Sequence, residues 1–196
     1  MAETFDKLEV LRSQVDSAIF LVSLEEGFVA AHTIIMAAEE LFRTLYVKKN
    51  LFVEFDYRIY VKDEHQIEYL QKMREKYNFF KHADRDIDTV LSVDPTQIHK
   101  LNEILLGVLI AGFRKTFSRS TASMDAYSKW FAAVHPDYIK WENISGGRQI
   151  KMNLQKLDSD QALRRQMLRV FLYHAGVLPK DDFDFLRIMV ANIPLE

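Results

Sequence analysis

The chain contains no cysteine. Disulfides, cysteine–zinc sites and thiol catalysis are therefore excluded. Glycine and proline are scarce, at 6 and 4 residues, which disfavours sheet-rich folds built on many tight turns. The longest apolar run, Ile104 to Phe113, is too short to span a bilayer. The first residues, Met1 to Lys7, lack the basic-then-apolar pattern of a signal peptide. A soluble, cytoplasmic protein with no membrane partner is expected. Neither sign of charge dominates: the formal net charge is −2 and the pI about 6.3. Such a chain is no general polyanion binder, although a local basic patch remains open. No Gly-rich phosphate loop, G-x-S-x-G or H-E-x-x-H is present. No histidine has a glutamate three positions before it, which weighs against a di-iron bundle. No cofactor is expected.

What the sequence does contain is helical periodicity. With 196 residues, 48% hydrophobic and 28% charged, it suits one globular domain with a small appendage. Thr4 or Asp6 can cap a first helix, whose apolar face is Leu8, Leu11, Val15, Ala18, Ile19 and Val22. Glu25-Glu26-Gly27 breaks the chain. A second helix runs from about Phe28 to Lys49, with Ala31, Ile34, Ile35, Ala38, Leu41, Phe42 and Leu45 on its face. Leu51 to Tyr60 alternates with a period of two and reads locally as a strand, with a weak partner near Ile150–Leu154. The alternative is an extended connection. Asp63 can cap a third helix with Ile67, Leu70, Met73, Tyr77 and Phe80 inside.

Asp94-Pro95-Thr96 is a helix start, with proline in the first turn. The helix that follows is apolar nearly all round, and Leu105, Leu109 and Phe113 are expected in the core. Arg114–Ser120 reads as a basic, polar loop. A helix over Ala122–Val134 stops before Pro136, another runs from a cap near Asp158 to about Ala175, and a last one opens at Pro179. The expected fold is all-α, a helical bundle of six or seven helices with at most one short strand pair. A main bundle over 1–135 and a C-terminal helical pair over 136–196 are the natural divisions, the break falling at about 136–157.

Functional interest centres on Asn78-Phe79-Phe80-Lys81-His82-Ala83-Asp84-Arg85-Asp86. Asn78 and His82 are four apart and share a helix face. Asp84 and Asp86 can orient the imidazole, and Arg85 can pair with either. One reading makes His82 a proton carrier or phosphate ligand in a polar pocket with Lys81, Asp84 and Arg85. The other has Asn78 and His82 bonding loose backbone groups at a helix end, anchored by Phe79 and Phe80. His32 and Glu39 are seven apart on one helix face and could join His82 and Asp84 on a metal, or His32 can be a hydrogen-bonded core histidine. Basic groups cluster at Arg114/Lys115/Arg119, at Arg164/Arg165/Arg169 and at Lys72/Arg74/Lys76; nucleic-acid binding is possible but not favoured.

The run Met73-Arg74-Glu75-Lys76-Tyr77-Asn78-Phe79-Phe80-Lys81-His82, followed by acids and another helix, resembles the motif region of HEPN domains. That family consists of small helical bundles, often dimeric, many of them metal-independent RNases of toxin–antitoxin and defence systems. The resemblance covers about residues 28–117. Asn78 matches the polar motif position and His82 the histidine. Tyr77 stands where the family has arginine, and Arg74 lies one turn earlier, about 12 Å of helical rise from His82. The stretch is also similar to one in uncharacterised bacterial helical proteins. The resemblance implies a helical scaffold acting through a homodimer or a protein partner. Its alternative implication is an endoribonuclease, with His82 as general acid or base, Asn78 beside it, and Arg74 or Lys81 stabilising phosphate charge. A third reading is a small-ligand pocket lined by His32, Tyr77 and His82.

Overall fold

The structure, a computed structural model, describes residues 4–24, 27–48, 67, 74–81, 90–135 and 161–179. Among the described residues there are six helices and no strand. They are α1 (Lys7–Val22), α2 (Phe28–Lys48), α3 (described over 74–81), α4 (Pro95–Phe117), α5 (Ala122–Val134) and α6 (Gln161–His174). The all-α expectation is met. No helix among the described residues is long and apolar enough to cross a membrane. The strand-like Leu51–Tyr60, its weak partner Ile150–Leu154, the break at 136–157 and the last helix all lie outside the described residues. The chain forms two compact units, Met1–Arg119 and Ser120–Glu196.

In the first unit α1 packs along α2, and both pack on α4. Asp6 starts α1 through a capping box: its carboxylate accepts from the Glu9 amide at 2.8 Å, and the Glu9 carboxylate accepts from the Asp6 amide at 2.8 Å. Leu11, Val15, Ala18, Ile19 and Val22 are buried, as their spacing demands, and Leu8 is half-buried. The turn after α1 is tight. A Cβ on Gly27 would stand 2.8 Å from the Leu21 carbonyl oxygen, so the close approach of the two backbone segments requires glycine there.

Helix α2 is rotated from the face its apolar residues suggest. Ala31, Ile35, Ala38 and Phe42 are buried as expected, but Ile34, Leu41 and Leu45 are only half-buried, and His32, Met36 and Tyr46 take their places inside. A polar residue with a partner on the facing helix can enter a core at little cost, which an apolar count cannot register. Phe42 makes edge contacts with Tyr46 and Phe117, at centroid distances of 5.4 and 6.2 Å.

Helix α4 begins as its sequence signals: the Asp94 side chain accepts from the Thr96 amide at 2.9 Å, with Pro95 in the first turn. Its interior differs from the expectation. Leu106, Leu109, Ile110 and Phe113 are buried, but Leu105 is only half-buried and Val108 is 44% exposed. The helix is not apolar all round; its inner face carries His99, Asn102 and Glu103, all buried. It also continues through the expected loop to Phe117, and ends at Ser118 in the left-handed region (φ 50°), whose amide donates to the Arg114 carbonyl. Ile67, expected on an inner face, is 73% exposed.

In the second unit α5 packs on α6. The Thr121 hydroxyl caps α5 by accepting from the Met124 amide at 3.2 Å. Trp130 is fully buried and its indole N–H donates to the Arg164 carbonyl at 2.7 Å, pinning the two helices. Arg164 and Arg165 are buried, so this pair does not form a solvated basic face. Helix α6 closes with Gly176 at φ 71°. The Gly176 amide donates to the Tyr173 carbonyl and the Val177 amide to that of Leu172, the paired bonds of a Schellman motif.

Candidate functional site

The residues singled out by sequence fall into three groups. His82, Asp84 and Arg85 lie outside the described residues. Arg74, Tyr77, Asn78 and Lys81 lie on α3, and His32 lies on α2. Asn78 is exposed within the helical run, and the helix end expected beside it lies outside the described residues. Tyr77 is buried at 6% exposure, and the Lys81 ammonium sits 5.0 Å from its ring centroid. Interaction with Tyr77 raises the pKa of Lys81, which keeps it a cation.

His32 is fully buried and anchors a polar arrangement in the first unit. Its Nδ1 lies 2.8 Å from Asn102 Oδ1, and Asn102 Nδ2 donates to the Phe28 carbonyl at 2.8 Å. The second bond fixes the orientation of the amide, because only the NH2 can donate to a carbonyl. Oδ1 therefore faces the imidazole, and Nδ1 must carry the proton. Burial is the largest influence on His32 and lowers its pKa, the Asn102 bond raises it, and the positive charge of Lys76 lowers it again. The neutral ring then holds a bare lone pair at Nε2, which has no hydrogen-bond partner among the described residues. The Phe80 ring meets His32 edge-on at 5.9 Å, bringing α3 onto the α2–α4 seam. His99 on α4 packs against Phe28 at 5.3 Å.

Two turns along α2, Glu39 forms an ion pair with Arg43 at 3.5 Å, without hydrogen-bond geometry. Burial raises the Glu39 pKa, opposed by the charges of Arg43 and then of Arg74. Arg74 thus acts on a carboxylate of α2. Among the described residues no group of three or more His, Asp or Glu side chains could hold a metal ion. His32 and Glu39 do share a helix, but His32 is committed to Asn102.

Asn102 was not singled out by the sequence reading, nor were His99 and Glu103. A signal existed: positions 99, 102 and 103 place three polar groups at helical spacing on one face of an otherwise apolar helix. Chemically, the seam is a neutral imidazole held by an amide and a backbone carbonyl, in contact with aromatic rings. Comparison with family models, curated proteins and solved structures gives no match for this chain.

Proposed function

We propose that this chain is a HEPN-like helical scaffold, cytoplasmic and non-catalytic, that acts through a homodimer or a protein partner. The observation that carries the reading is the commitment of its most distinctive polar groups to packing. His32 and Asn102 join α2 to α4, and Tyr77 is buried beneath Lys81. Groups spent on fixing helices to one another serve a rigid framework. The exposed side of α3, with Glu75, Asn78 and Lys81, presents mixed charge and amide to a partner.

The test is the solution mass together with an RNA assay. Light scattering is expected to return about twice the 23.0 kDa of one chain, and mixed RNA is expected to stay intact with or without chelator. A chain that remains monomeric at high concentration and cleaves RNA in chelator, with cleavage lost in a folded His82→Ala variant, would replace this reading with the endoribonuclease.

A further inference from the structure

Beyond its part in holding the scaffold together, we infer that His32 makes the seating of α3 on the α2–α4 seam sensitive to protons in the mildly acidic range. Four observations converge. The ring is fully buried. Its Nδ1 proton is already committed to Asn102, so an added proton can go only to Nε2. Among the described residues Nε2 has no hydrogen-bond partner, and a new N–H there would be an unsatisfied donor on a buried cation. The helix laid over this ring is α3, through the edge contact with Phe80.

The charged and titratable groups around the seam reinforce the direction. From α3, Lys76 repels a charged imidazole. On α4, Glu103 follows Asn102 and His99 packs on Phe28. On α2 itself, Glu39 lies two turns on, shared between Arg43 and Arg74. The ring therefore takes a proton more readily when Nε2 reaches water, and a lifting of α3 would strip the Phe80 ring from it.

The sign follows from linkage. His32 has a folded pKa below its ordinary value of 6.5. The closed state binds the proton less well than the open one, so closure is at full strength above pH 6.5 and weakens as pH falls below it. Each pH unit below that point multiplies the opening constant by up to about tenfold, until the closed form itself titrates. Because α3 carries Arg74, Tyr77, Asn78 and Lys81, acid would loosen the surface that holds all four.

Hydrogen exchange of α3 peptides in the full chain, corrected for the intrinsic pH dependence, tests this between pH 7.5 and 5.5. Opening of α3 is expected to rise by up to about tenfold across that range, and the His32 imidazole signal followed by NMR is expected to titrate below pH 6.5. His32→Gln is expected to abolish the rise. Lys76→Gln, which removes an exterior charge and leaves the seam intact, is expected to move the His32 midpoint upward and supports the inference even where His32→Gln folds poorly. A flat wild-type profile overturns it. So does a rise that persists in His32→Gln, or one that vanishes in His99→Gln while His32 titrates normally. The His32 titration is read inside one chain, so its failure is distinct from a failure of the scaffold reading, which the solution mass decides.

Discussion

Replacing Asn102 with alanine removes both bonds of the α2–α4 seam at once. The amide is buried at 1% exposure, so water cannot step into its place without opening the core. The His32 Nδ1 proton loses its acceptor, and a buried donor left unsatisfied costs about 1–3 kcal/mol. A shift of the proton to Nε2 offers no escape, since Nδ1 then becomes a bare acceptor. The Phe28 carbonyl loses a donor as well, but it begins a helix and keeps a route to helical bonding, so its share is about 1 kcal/mol. The expected loss is about 2–4 kcal/mol. The assay must report the first unit: Trp130 and Trp141 both fall in Ser120–Glu196, so tryptophan fluorescence follows the other one. Hydrogen exchange of α2 and α4 peptides across a urea series reads the right helices. The double variant His32→Leu/Asn102→Leu, which removes both polar partners, is expected to lose less than the sum of the single variants. A loss under about 1 kcal/mol for Asn102→Ala, or strict additivity in the double variant, refutes the reasoning.

Further expectations concern packing, capping and titration. Leu109→Ala empties a buried site and should cost about 2–5 kcal/mol, whereas Leu105→Ala, at a half-buried position, should cost clearly less; equal losses in chemical denaturation would contradict the orientation of α4. Asp6→Ala breaks the capping box of α1 and should cost about 1 kcal/mol, seen as faster amide exchange confined to the first turns of α1. Glu39 has a raised pKa, so its folded form favours the proton and stability declines as pH rises above the ordinary carboxylate value of 4.5. Glu39→Gln should therefore flatten stability between pH 4.5 and neutrality without loss at pH 7; a destabilised variant at neutral pH would show that its ion pair with Arg43 outweighs burial.

Local chemistry alone determined much of this protein. Asp6 and Asp94-Pro95 start their helices where the sequence places those signals, and Ala122–Val134 has its expected bounds, because caps and prolines act on their own turn. Gly176 ends α6 for the same reason: the left-handed conformation is cheap only without a Cβ. The absence of cysteine and of phosphate-loop or nucleophile motifs narrowed the chemistry before any fold was known. Tertiary structure decided which side of each helix faces inward. The apolar residues of α4 outnumber the places in its core face, so periodicity could not say that Leu105 and Val108 stay partly outside while His99, Asn102 and Glu103 go in. That choice depends on a partner 70 positions away: the Asn102 amide finds the His32 ring on one side and the Phe28 carbonyl on the other. A hydrogen bond between distant segments leaves no trace in the spacing of either one. It makes a polar group at home in a core only when the two helices meet, and this is why the sequence marks His32 as a candidate but only the fold assigns its tautomer, its partner and its bare nitrogen.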